Sequence, residues 1–266
     1  MKFGLMGRDS WKTSILLMVL ALIVSVLISY FQPFPGYMDA DYYFAGGVQL
    51  AEGKGFTEPY MWNYFDPSNN LPHPSHGYWM PLASILTAGG MFITGSQTWL
   101  AGRIGFILIA MIIPVLTAEL AYSFTKRKDL SLISGLLAIF SGYYAAYMQV
   151  TDTFGLYILL GGIFFLIAHR DNQKGYFLMG ILAGFLHLAR ADGIFWLIIS
   201  SVITFTVLKN IDYQEQLEIE AGNFTVFFVI VILLSMFFIE MIAPFVIIFI
   251  LSMKKNKKYF ETSQKS

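Results

Sequence analysis

The chain has 266 residues, 56% of them apolar and 13% charged, and a formal net charge of zero. That balance lies far from a soluble globular domain and predicts an integral membrane protein. With no basic, aromatic-interleaved segment it excludes a nucleic-acid partner, and with no cysteine it excludes disulfides, thiolate catalysis and Cys-ligated metal.

Lys2, Arg8 and Lys12 precede an apolar run from Ser14 to Phe31. The run is longer than a secretory h-region and its exit, YFQPFPGY, lacks a small-x-small cleavage site, so it reads as an uncleaved first transmembrane helix. A bilayer core takes about 20 apolar residues as helix. Further spans are predicted at Trp99 to Phe124, Leu130 to Met148, Phe154 to Ala168, Gly175 to Ala189, Ile194 to Leu208 and Phe224 to Met253. The expectation is an all-α polytopic membrane protein with about seven transmembrane helices and a long, partly helical outer loop, residues 32–98, between the first two.

That loop is too aromatic for disorder and longer than a spacer needs to be. Asp39 is placed to cap a short helix from Ala40 to Ala51, with Gly53 and Gly55 ending it and Phe44, Val48 and Ala51 facing the interface. Five prolines between Pro59 and Pro81 then force an extended return. Gly77 to Gly95 approaches spanning length but opens with Trp79 and Pro81 and carries Gly89-Gly90, which suits a helix lying in the outer interface without crossing.

Lysine and arginine set the orientation, because short cytoplasmic loops retain them. Lys2, Arg8 and Lys12, then Lys126, Arg127 and Lys128, then Arg170 and Lys174, and Lys209 all fall inside when 77–95 does not cross. The C-terminus fits less well: a single pass through 224–253 puts the Lys254 to Lys258 cluster outside. Either Glu240 to Pro244 breaks that helix into a re-entrant pair, or the segment from Asp212 to Glu220 lies elsewhere.

On this topology the rare ionisable residues collect on one side. The long loop brings Asp39, Asp41, Glu52, Lys54, Glu58, Asp66, His73 and His76; the second span begins with Arg103; Asp152 lies between spans three and four, and His187, Arg190 and Asp192 between five and six. Ionisable groups at the ends of spans are costly and tend to mark function.

The loop reads D-A-D-Y-Y-x-x-x-G-x-x-L-A-x-G-x-G-F from Asp39, then P-Y-x-W-N-Y-x-D-P and L-P-H-P-S-H-G-Y-W-M-P-L-A-S, followed by T-D-T-F-G at 151–155 and L-A-R-A-D-G at 188–193. Over about residues 10 to 208 this resembles the GT-C class of polyprenyl-phosphate-sugar-dependent glycosyltransferases, in the branch of protein O-mannosyltransferases, the lipid A aminoarabinose transferase and Rgt-type lipopolysaccharide transferases. Three departures are noted. Family members are commonly much longer, which makes this a short or truncated member; the first acids are spaced Asp-Ala-Asp where many relatives have adjacent acids; and Ala191 stands where the family usually has Pro.

The resemblance implies a membrane module over residues 1–208, with 209–266 as a C-terminal membrane segment and basic tail. It implies an inverting transfer from a polyprenyl-phosphate sugar to a hydroxyl of a glycan, lipid or protein acceptor, at the non-cytoplasmic face. The base is Asp39 or Asp41. The leaving phosphate needs positive charge, for which Arg103, Arg190, Lys54, His73 and His76 are the available donors, with Asp192 beside them. Asp152 orients the acceptor or, with Asp41, assists a divalent metal; no cofactor is required.

Plainer roles stand beside these. Asp39 and Asp152 suit helix caps, Arg103 and Arg190 suit snorkelling to headgroups, and His73 with His76 suits hydrogen bonding within the loop. A transporter or lipid flippase, or a non-catalytic relative acting as a partner subunit, is the alternative at the level of function. The first of these needs mid-bilayer polar groups on repeated halves, and no internal repeat is visible.

Overall fold

A computed structural model describes residues 10–61, 71–77, 79–168 and 173–208. The described chain is mostly helical with almost no sheet. Its elements are α1 (Ser10–Tyr30), α2 (Met38–Ala51), β1 (Thr57–Glu58), β2 (His73–Pro74), α3 (Leu82–Thr94), α4 (Trp99–Thr125), α5 (Lys128–Ile139), a 3₁₀ turn (Gly142–Tyr147), α6 (Thr153–Ala168), α7 (Gln173–Ala189), a 3₁₀ turn (Ala191–Gly193) and α8 (Ile194–Leu208). Two helices, Trp11–Tyr30 and Trp99–Thr125, are long and apolar enough to cross a membrane by length and composition. The 209–266 unit, with the segment predicted at Phe224 to Met253 and the C-terminal tail, lies outside the described residues.

The loop between α1 and α4 folds into α2, a two-stranded antiparallel ribbon pairing Thr57 with Pro74 and Glu58 with His73, and α3. Gly53 and Gly55, both at positive φ, carry the chain out of α2. The predicted cap is corrected: Tyr37 occupies the N-cap position without capping the helix through its side chain, and Asp39 lies inside the first turn of α2. A carboxylate in the first turn still meets the positive end of the helix dipole, so the composition signal was right in kind and displaced by two residues. Phe44 packs edge-on against Trp99 of α4, at 5.5 Å between centroids.

α3 has 13 residues; at about 1.5 Å per residue it is too short for a hydrocarbon core of about 30 Å. It is sandwiched between α2 and α4 by small residues. A Cβ on Gly47 would come within 2.7 Å of Thr87 Cβ, and one on Gly46 within 2.7 Å of Ser84 Oγ. Gly90 on the next face lies against the Ala101 carbonyl. Such stripes let helix backbones approach closely.

α4 is the hub, packing against α1, α2, α3, α5 and α6. Thr98 caps it, its hydroxyl accepting from the Ala101 N–H, and Lys126 ends it in the left-handed conformation. One apolar cluster joins Leu17, Ala21, Ala118 and Ile139 across α1, α4 and α5. A second joins Ile109, Ile113, Met148 and Leu156, and a third joins Phe164, Met179 and Ala183 with Trp196 across α6, α7 and α8.

The predicted continuous span from Leu130 to Met148 is also corrected. α5 stops at Ile139, Phe140 leaves helical geometry, and Gly142 at φ +59° turns the chain into a 3₁₀ turn. Ser141-Gly142 breaks a stretch whose apolar content alone reads as continuous, since hydropathy registers burial and not backbone direction.

Candidate acidic site at the α2 and α6 N-termini

The segment Gln149 to Thr153 enters α6 alongside the start of α2. Thr151 Oγ1 donates to the Ala40 carbonyl at 2.8 Å, and Tyr37 Oη donates to Asp152 Oδ2 at 2.5 Å. Asp152 is buried, and its Oδ1 accepts from both the backbone N–H and the hydroxyl of Thr153. Arg190, at the end of α7, donates from Nη1 to Thr153 Oγ1 at 3.4 Å and from Nε to Asp192 Oδ1 at 3.1 Å. Its guanidinium lies over Tyr157 and Phe154, at 5.6 and 6.0 Å from their ring centroids. Asp152, Thr153 and Arg190 thus form one hydrogen-bonded chain.

Asp39 stands half-buried beside this chain. Burial, then the Asp152 carboxylate, push its carboxyl above the ordinary aspartate value, and the Arg190 cation opposes them. The Tyr37 phenol is pushed up by burial and by Asp152, which keeps it a neutral donor. Residues two apart on a helix project about 200° from each other, and Asp41 accordingly faces elsewhere. It is exposed, burial alone raises its carboxyl, and after burial and Glu58 its charge contributes to pushing the Tyr60 phenol up to about 12. Asp39, Asp152, Arg190 and Asp192 are brought together; Asp41 is not, so it and Asp152 do not share a ligand set.

Arg103 lies beneath the site rather than in it. It is 1% exposed and its donors are met by carbonyl oxygens: Gln149 O at 3.1 Å from Nε, Ser29 O at 3.3 Å and Gln32 O at 3.0 Å from Nη1, and Gln32 Oε1 at 2.8 Å from Nη2. The guanidinium stacks over Trp99 at 4.8 Å, and the Trp99 indole N–H donates to the same Gln32 carbonyl. Gln32 in turn donates to Ala146 O at 2.9 Å. Four of the five guanidinium N–H groups are occupied by the protein itself, and Arg103 fastens the Asp152 segment to the end of α1.

The histidines belong to a separate polar core. The buried His76 backbone N–H donates to Tyr42 Oη at 2.7 Å, and that hydroxyl donates to the buried Glu58 Oε1 at 2.5 Å. Ser84 Oγ donates to the Tyr43 carbonyl, so it accepts from His76 Nε2–H at 2.9 Å and leaves Nδ1 to accept from Ser75 at 2.6 Å. Burial lowers the His76 imidazole to about 4, holding it neutral. His73 Nε2 lies 3.9 Å from Glu58 Oε2. These residues fasten the ribbon onto α2 and α3. Lys54 is exposed and paired with Glu52 at 2.5 Å. Among the described residues no three His, Asp or Glu side chains are placed to hold a metal ion.

Tyr37 and Thr153 escaped the sequence reading although they flank the singled-out aspartates in YMDAD and TDT. A hydroxyl within two residues of each acid was the available signal. A small crevice lined by Ala21, Ser25, Ile28, Ile113, Met148 and Gln149, among others, includes neither Asp39 nor Asp152.

Family models, curated proteins and solved structures were each compared with the chain, and none matches it.

Proposed function

We propose that the protein is a multi-pass membrane glycosyltransferase, with about seven spans, that moves a sugar from a polyprenyl-phosphate donor to a hydroxyl acceptor at the non-cytoplasmic face of the cytoplasmic membrane. The observation carrying this reading is the placement of Asp39, half-buried and with a raised carboxyl pKa, next to Asp152 and Arg190. The D-A-D-Y-Y and T-D-T-F-G resemblance to GT-C enzymes supports it, as does the apolar outer face of α1, where Val19, Ile23, Val26 and Leu27 are exposed.

In this reaction Asp39 takes the proton of the acceptor hydroxyl as its oxygen attacks the anomeric carbon. The bond from that carbon to the phosphate oxygen breaks with inversion, and polyprenyl phosphate leaves with the electron pair. Arg190 faces the departing anion, where a preorganised cation lowers the barrier most. Asp152, which accepts from Tyr37 and twice from Thr153, holds Tyr37 in place and orients the acceptor. No cofactor or metal enters a step.

The test is release of polyprenyl phosphate by the purified full chain in nanodiscs supplied with polyprenyl-phosphate mannose or glucose and a hydroxyl acceptor. Turnover that Asp39→Asn lowers by at least about 100-fold, the low end for a positioned base, is the expected result. Turnover unchanged in Asp39→Asn, or none with any polyprenyl-phosphate sugar, sinks the reading.

A further inference from the structure

The 3₁₀ turn after α5 carries three tyrosines, of which Tyr143 and Tyr144 are exposed and Tyr147 is half-buried. Tyr143 is 74% and Tyr144 53% exposed, yet the turn is tied down beneath them: the Ala146 carbonyl accepts from Gln32 Nε2 at 2.9 Å and from Gln149 Nε2 at 3.2 Å. Tyr143 meets Tyr144 edge-on at 5.6 Å and lies tilted over Tyr147 at 5.0 Å, and the Tyr147 hydroxyl donates to that of Tyr143 at 3.0 Å. Tyr147 then touches Tyr37 at 5.5 Å and Phe154 at 5.9 Å. The row of rings runs from open surface to the residue that holds Asp152 and the ring beneath Arg190.

We propose that Tyr143, Tyr144 and Tyr147 form a stacking platform for a pyranose ring of a glycan acceptor, delivering its hydroxyl to Asp39. This rests on the transferase reading and narrows its acceptor to a sugar. A pyranose presents C–H bonds on one face and hydroxyls around its rim, which matches a ring face bordered by phenolic hydroxyls. Tyrosines that only anchor a protein at a membrane interface spread their polar ends toward headgroups. Here two hydroxyls bond to each other, and the rings lead inward to the carboxylates. A platform fixed before binding also loses little side-chain entropy on contact. The outermost rings are exposed and open to an incoming ligand.

The experiment is saturation-transfer NMR on the full chain in nanodiscs, with methyl α-D-mannopyranoside and methyl β-D-glucopyranoside as probes, beside the donor-turnover assay. Wild type and Asp39→Asn are expected to transfer saturation to the pyranose C–H protons of at least one probe. A Tyr143→Ala, Tyr144→Ala double variant is expected to lose at least fivefold of that signal and to raise the acceptor KM with donor KM unchanged, while Tyr143→Phe, Tyr144→Phe keeps most of it. No signal in wild type overturns the platform. So does a wild-type signal in the alanine variant, including the case where that variant loses only thermal stability. A sugar signal that behaves as expected without any donor turnover sinks the transferase reading instead and leaves the pyranose site standing.

Discussion

Tyr37 donates its phenolic hydrogen to Asp152 Oδ2 at 2.5 Å, across 115 residues of sequence. The bond joins the segment before α2 to the entry of α6, beside Asp39. A hydrogen bond to a charged group contributes about 1.5–3 kcal/mol. Tyr37→Phe is therefore expected to destabilise the chain by about that much, measured as a lowered unfolding midpoint in detergent. Donor turnover should fall with it, because Asp152 keeps its Thr153 donors but loses the contact that aligns α2.

Charge changes around Asp39 should move its titration in opposite directions. Asp152 raises the Asp39 carboxyl and Arg190 lowers it. Asp152→Asn should shift protonation of Asp39 to lower pH and Arg190→Gln to higher pH, read from the carboxyl stretch by infrared difference spectroscopy. The acid limb of the turnover profile should follow, since the base acts only when ionised. Shifts of the same sign in both variants would remove Asp39 from the electrostatic pair described.

Stability should fall on the acid side through His76. Its imidazole is lowered to about 4 in the fold, against about 6.5 in an unfolded chain. Between those values the unfolded state binds the proton and the folded state does not. The contribution is thus complete above about 6.5 and lost as pH falls toward 4, on the order of 3 kcal/mol in all. Asp39, raised in the fold, acts with the opposite slope above its ordinary value. His76→Asn, which tolerates the φ of +61° at this position, should flatten the acid limb seen in unfolding midpoints measured from pH 7 to 4.

Adjacent glycines of α3 should answer differently to alanine. A Cβ at Gly89 meets nothing within 4 Å, whereas one at Gly90 would collide with the Ala101 carbonyl, which has no rotamer to escape through. Gly89→Ala should be neutral or stabilising by up to about 1 kcal/mol, and Gly90→Ala should cost about 1–3 kcal/mol. Thermal unfolding of the two variants checks the contrast.

Arg103 should not be replaceable by lysine. An ammonium is a point charge with three donors and cannot reach four carbonyl oxygens in the planar arrangement seen. Each buried carbonyl left unpaired costs about 1–3 kcal/mol, so Arg103→Ala should lose at least about 3 kcal/mol and Arg103→Lys a large part of it. Folded yield and unfolding midpoint measure both.

Much of the helical layout is legible in the sequence alone. Apolar length, Gly53 and Gly55 after α2, Gly95 after α3 and the Lys126 cluster after α4 are local signals, and helix formation responds to local signals. The expectation that Asp39, Asp152, Arg190 and Asp192 lie near one another comes from reading alternating spans and basic loops in the sequence. The stop of α5 at Ile139 does not, because an apolar strip reads the same whether its backbone continues or turns at Gly142. Nor does the placing of Asp39, and not Asp41, beside Asp152, or the bonding of Arg103 to carbonyls of its own chain. Those depend on contacts such as Thr151 with Ala40, 111 residues apart, and a side chain's charge and partners are set by what the fold brings beside it, not by its sequence neighbours.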